Sequence, residues 1–177
     1  MQRIGQIMNN FNYSDKYPNE CRGEPVMREM LKVQIYRETD NPIPSYKKDG
    51  DAGMDIRANE DISLPSFIWT TVSTGLYIII PYGYEGQVRS RSGLAANHGI
   101  QVLNSPGTID SGYRDELKII LKNNAYAPYD VKKGDRIAQL VIKPVIMSEM
   151  VEIDKGTHII ESENENRGGG LGSTGVK

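Results

Sequence analysis

Residues 31–38 read LKVQIYRE, and the fold class follows from how this octet alternates. Leu31, Val33 and Ile35 fall on one side of an extended chain, and Lys32, Gln34 and Tyr36 on the other. That two-residue period is the mark of a half-buried β-strand. Outward from the octet, further strands are predicted over 68–80, 84–90, 100–103, 116–122 and 136–145. Turn-forming clusters separate the runs: KKDGDAG (47–53), PYGYEG (81–86), NSPG (104–107), DSGY (110–113) and KKGD (132–135). One short core helix is expected after Gly93, through LAAN (94–97). Many short strands with glycine punctuation predict an all-β fold, a sandwich or barrel of jelly-roll type.

The whole chain has 177 residues, the size of one domain. Its 18 Gly and 9 Pro against 7 % aromatic residues agree with a turn-rich protein. A single cysteine, Cys21, excludes an intramolecular disulfide, and with only His98 and His158 beside it a structural zinc site is not expected. The net charge of −2 gives no basic footprint for direct nucleic-acid binding. The longest apolar run, 76–81, is far too short to cross a bilayer. The opening residues MQRIGQIMNNFNYSDK lack the apolar core of a secretory signal, so a cytoplasmic protein is expected, or one of the host cytoplasm if phage-encoded.

Three regions differ in composition. Residues 1–30 are rich in Asn and charge and read as an N-terminal extension, with a helical turn or two expected over 25–31. Residues 31–160 carry the strand pattern. From 161 the chain passes from ESENEN into RGGGLGSTGVK, a flexible glycine-rich arm with few side chains to pack.

Five segments combine glycine with charged or hydroxyl residues: DAGMD (51–55), SRSGL (90–94), NSPGTIDSGY (104–113), GDRIAQL (134–140) and RGGGLGSTG (167–175). Each alone reads as a turn. Together they supply what a polyphosphate needs. Glycines let backbone N–H groups approach phosphate oxygens, and the hydroxyls of Ser92, Ser173 and Thr174 add donors. Arg91 and Arg167 can each grip a phosphate through two donors.

In this order the five segments resemble the five motifs of the trimeric dUTP diphosphatases, or dUTPases, from about residue 31 to the C-terminus. The resemblance implies a distorted jelly-roll, a homotrimer with shared active sites, and Mg²⁺-dependent hydrolysis of dUTP to dUMP and pyrophosphate. Water would attack the α-phosphorus. Such an activity limits uracil in DNA and supplies dUMP.

The same resemblance assigns roles by position. Asp110 would orient and activate the attacking water, although in isolation it reads as the start of the turn DSGY. Tyr113 would pack under the deoxyribose and exclude a ribose 2′-hydroxyl. Asn104 and the backbone of Gly107, Thr108 and Ile109 would read the uracil edge, where a mismatched base leaves buried groups unpaired. Arg91, Ser92, Gly93 and Gln139 would meet the phosphate chain, and Asp55 would hold the Mg²⁺ shell through water. Lys118 matches a substrate-contacting position, yet its alternation with Leu117 and Ile119 also reads as a solvent-facing strand lysine. Arg167, Gly172, Ser173 and Thr174 would close over the phosphates from the arm. Asp51 and Asp135 read as turn carboxylates.

The chain departs from the family pattern in three places. Leu171 stands where an aromatic residue commonly stacks on uracil, and the stretch from Arg167 to Leu171 is one residue shorter than in many relatives. Asp115 stands where glycine is common, and a positive φ there would strain it. Two alternatives accompany the diphosphatase reading: a dCTP deaminase relative, against which IDSGY (109–113) argues, and a nucleotide-gated protein with a regulatory partner.

Overall fold

In a computed structural model the described residues, 30–158, form eleven strands and one two-turn helix, with a further helical turn beginning at Lys155. The extension 1–29, with Cys21, and the arm from 159 onward lie outside the described residues. So do Arg167, Leu171, Gly172, Ser173 and Thr174, and most of the helical turn expected over 25–31.

The strands in chain order are β1 (Gln34–Arg37), β2 (Met54–Arg57), β3 (Ile62–Leu64), β4 (Trp69–Val72), β5 (Leu76–Ile79) and β6 (Tyr84–Arg89). Helix α1 (Ser92–His98) precedes β7 (Ile100–Val102), β8 (Gly107–Ile109), β9 (Ile119–Asn123), β10 (Tyr129–Val131) and β11 (Arg136–Pro144). All pairings are antiparallel. They make a four-stranded sheet β2–β11–β6–β8, a three-stranded sheet β4–β9–β7, and the pairs β1–β5 and β3–β10. One apolar cluster fills the space between the sheets, with Ile56, Leu64, Val72, Ile80, Ile119 and Leu121 fully or almost fully buried. Each such side chain contributes about 1.5–3 kcal/mol of transfer free energy. An all-β architecture is therefore what the alternation produces.

Five details differ from the sequence expectation. The run 68–80 is two strands in different sheets, because Ser73, Thr74 and Gly75 leave the ladder between them. Glu116 Oε1 takes their donors, accepting from the N–H of Thr74 at 3.1 Å and of Gly75 at 2.8 Å, and from the Ser73 hydroxyl. Gly75 turns the chain at φ 65°. The leading octet forms a strand only from Gln34, whose partner Ile79 ends β5, so Leu31 has no ladder and is 41 % exposed.

The run 116–122 likewise starts its strand late, at Ile119, since Glu116 serves the 73–75 turn. Helix α1 has the expected place but is not a core helix: it buries no residue fully, and only Leu94 packs against the cluster. Seven residues with one large apolar side chain offer too little to bury. Strands β2, β3, β8 and β10 were not anticipated at all.

Candidate active site

Gln139 lies on the inner strand β11 and pairs with Asp55 of β2 on one side and Arg89 of β6 on the other. Directly paired residues share a face of a sheet, so one sheet face gathers Asp55, Gln139 and Arg89. Two residues beyond Arg89, the chain reaches Arg91 at the start of α1. The Gln139 amide donates to the Ser90 carbonyl at 2.8 Å, which joins the end of β6 to β11. Gly53 makes room for that amide: a Cβ there would stand 2.5 Å from Gln139 Oε1.

Asp55 is the electrostatic centre of this face. Its carboxylate meets Lys47 Nζ at 3.0 Å, Arg91 Nε at 3.0 Å and Arg136 Nη1 at 3.2 Å. Partial burial pushes the carboxyl pKa up, but hydrogen bonds from Lys47 and Arg136 and the charges of Arg91 and Lys47 outweigh it, leaving the pKa below the ordinary value. Arg91 is held twice, since Nη1 also donates to the Arg136 carbonyl at 2.9 Å. Ser92 and Gly93 are exposed, and a Cβ on Gly93 would meet nothing within 4 Å. The turn carboxylates behave as expected: Asp51 accepts from the N–H groups of Lys47 and Lys48, and Asp135 from that of Lys132.

A second group of expected residues sits around β8, the edge strand beside β6. Thr108 pairs with Gln87, and Gly107 with Val88. A Cβ on Gly107 would stand 2.9 Å from Asn104 Nδ2, so glycine lets the Asn104 amide lie against the hairpin backbone. Its turn contains a cis Ser105–Pro106 bond, and Ser105 Oγ accepts from the Ser90 N–H at 3.3 Å.

Asp110 follows the strand. Its carbonyl accepts from the Tyr113 N–H at 3.1 Å, while its carboxylate is exposed and takes no hydrogen bond among the described residues. The Tyr113 hydroxyl donates to the Glu116 carbonyl at 2.8 Å, which fixes the ring. Lys118 is exposed and pairs with Glu116 at 3.6 Å, in keeping with the solvent-facing alternation. Asp115 does not carry a positive φ: Phe67 alone among the described non-glycine residues does, so the feared strain is absent.

The structure thus brings Asp55, Arg91 and Gln139 together, and separately groups Asn104, Gly107, Asp110 and Tyr113. No hydrogen bond or ion pair among the described residues links Asp110, Tyr113 or Asn104 to Asp55, Arg91 or Gln139. Edge strands β2 and β8 stand three inter-strand spacings apart, about 14 Å. Sequence reasoning missed Lys47 and Arg136 as partners of Asp55, and Glu116 as the anchor of Tyr113. Arg136 had a signal, since it lies in GDRIAQL; Lys47 reaches Asp55 only through the fold of the 47–51 turn.

Among the described residues no three His, Cys, Asp or Glu side chains are grouped to hold a metal ion. The donor set is one carboxylate already facing three cations. It suits a hydrated ion that arrives on phosphate oxygens and touches Asp55 through water, and it does not suit a protein cage.

Comparison with known proteins shows the family. A family model described as dUTPase matches residues 39–175. The deoxyuridine 5'-triphosphate nucleotidohydrolase of Wolbachia sp. subsp. Drosophila simulans (strain wRi) is 48% identical over 155 residues, covering 85% of this chain and 99% of that protein. Among solved structures, a mutant dUTPase from phage phi11 of S. aureus, which coordinates a structural Mg(II) ion, superposes with a TM-score of 0.65. It is 27% identical and covers 70% of this chain and 97% of its own. The dUTPase of Staphylococcus bacteriophage 80alpha also has a TM-score of 0.65, at 26% identity, covering 70% of this chain and 97% of that one. Phage dUTPases of that kind control transfer of virulence genes by a proto-oncogenic G protein-like mechanism.

Proposed function

The chain belongs to the dUTPase family, and from that premise we propose that it hydrolyses dUTP to dUMP and pyrophosphate. The observation that carries the reading is the face built by Asp55, Arg91 and Gln139, a cation-rich surface beside the open position at Gly93. A triphosphate is the anion such a face attracts. In the nucleotide's other half, Asn104 with the 107–109 backbone binds the uracil edge, and the fixed Tyr113 ring supports the deoxyribose.

Asp110 accepts a proton from the water that attacks the α-phosphorus, with bridging oxygen to the β-phosphorus as leaving group. Its exposed carboxylate, free of protein hydrogen bonds among the described residues, supports that role. A Mg²⁺ ion carried on the phosphates would supply charge neutralisation there. Asp55 would hold that ion through water, and Arg91, Ser92, Gly93 and Gln139 hold the phosphate chain in line. Lys118, exposed and paired with Glu116, is free to leave that carboxylate for substrate.

Family membership supports a homotrimer in which one protomer supplies Asp110 and Tyr113 and another supplies Arg91 and Gln139. Arg167, Gly172, Ser173 and Thr174 close the site from the 161–177 arm. No described helix is long and apolar enough to cross a membrane, and a cytoplasmic nucleotide pool is the natural source of substrate.

The test is pyrophosphate release from dUTP, dCTP and dTTP with Mg²⁺. Release from dUTP alone is expected, with Asp110→Asn lower by about 10²–10⁴-fold, the usual worth of a general base. A folded protein inert towards dUTP would overturn the reading, and ammonia release from dCTP would replace it with a deaminase.

A further inference from the structure

Asp55 carries one negative charge against the three positive charges of Lys47, Arg91 and Arg136, so the cluster holds an excess of cations. The three are not held alike. Arg91 is tied to both Asp55 and the Arg136 carbonyl, and its side chain is 24% exposed. Arg136 is part of β11, registered against Arg57, and 41% exposed. Lys47 is 52% exposed, sits on a turn, and has Asp55 as its one ion-pair partner among the described residues. Its ammonium rides on a flexible four-carbon stem with three rotatable donors, whereas a guanidinium is a fixed planar fork.

The root of that stem is fixed. Asp51 Oδ2 accepts from the N–H of Lys47 at 3.1 Å and of Lys48 at 2.9 Å, and the Asp51 N–H closes the turn on the Lys48 carbonyl at 3.1 Å. Lys47, Asp51, Gly53, Asp55 and Gln139 line one cleft of about 290 Å³. The cleft opens beside the same Gln139 amide that anchors the phosphate face, so a mobile cation stands at its rim.

We propose that Lys47 is a substrate-binding residue that changes partner during binding, neutralising Asp55 in the free protein and passing to the β- and γ-phosphate oxygens of the bound triphosphate. This rests on reading the Asp55–Arg91–Gln139 face as a triphosphate site. The exchange follows from charge. A hydrated dication reaching Asp55 repels the ammonium beside it, while the phosphate chain that carries the ion offers several anionic oxygens in place of one carboxylate. Arg91 and Arg136, tied to backbone and strand, stay with Asp55 and preserve the face. Lys47 then adds affinity for the distal phosphates and none for a monophosphate.

The test is calorimetric titration of the full chain with α,β-imido-dUTP plus Mg²⁺ and, separately, with dUMP, for the wild type, Lys47→Met and Lys47→Arg. Lys47→Met is expected to weaken the imido-triphosphate about tenfold, the worth of one charge-assisted hydrogen bond. It should also flatten the salt dependence, leave dUMP affinity unchanged, and be largely rescued by Lys47→Arg. Wild-type binding with no change in Lys47→Met would overturn the role of Lys47 alone. Equal weakening of both ligands would make Lys47 a structural neutraliser of Asp55 and also overturn it. A wild type that fails to bind the imido-triphosphate would overturn the site itself.

Discussion

Asp55 shows how one side chain organises its surroundings. Burial raises its pKa, three cations lower it further than burial raises it, and the net pKa lies below that of a free aspartate. A carboxyl whose folded pKa is depressed stabilises the fold fully above the unfolded value, about 3.9, and loses that contribution as pH falls through the folded value. The stability gap between wild type and Asp55→Asn should therefore be widest near neutral pH and narrow below about pH 3.9. Denaturant melts of the two proteins across that range check it; a gap independent of pH would contradict the ion-pair account. Gly53 belongs to the same cluster for a steric reason, because any Cβ at that position would collide with the Gln139 amide. The residue types of this face were visible in DAGMD, SRSGL and GDRIAQL. Lys47 was not, because nothing in KKDGDAG says which of two neighbouring lysines the Asp51 turn will aim at Asp55.

Elements were legible where alternation had room to repeat. Strands β6 and β11, at six and nine residues, follow the predicted runs closely. Strands β3, β8 and β10 have three residues each, too few for a period of two to be told from chance. β2 was hidden for another reason, since DAGMD was read as a turn although its last two residues open the strand. The split of 68–80 depends on Glu116, more than forty residues away in sequence, which no local reading can supply.

Burial raises the Glu116 pKa, and donors from Ser73, Gly75 and Thr74 with the charge of Lys118 bring it below the ordinary value. Glu116→Ala strips the acceptor from two backbone N–H groups and should cost about 1–3 kcal/mol, with Glu116→Gln costing less because one acceptor oxygen remains. Chemical denaturation measures both. An unchanged midpoint for Glu116→Ala would mean that water replaces the carboxylate without loss.

The whole molecule carries a face that suits phosphates, built on β2, β11 and the end of β6, and a hairpin that suits a deoxyuridine at the edge strand β8 of the same sheet. The five segments are legible in order along the chain, whereas which copies of the chain share a site is a property of the assembly and leaves no local signal. If each site draws Asp110 from one protomer and Arg91 from another, inactive Asp110→Asn and Arg91→Ala chains refolded together should recover roughly one quarter of wild-type turnover, the fraction of sites that pair two intact halves. No recovery in a mixture that forms mixed trimers would place both halves in a single chain.

The chemistry itself is tested most directly by turnover of dUTP in ¹⁸O-labelled water followed by mass spectrometry of both products. Attack by an Asp110-directed water on the α-phosphorus predicts one ¹⁸O in dUMP and none in pyrophosphate. Label in pyrophosphate would mean attack at the β-phosphorus and would contradict the account.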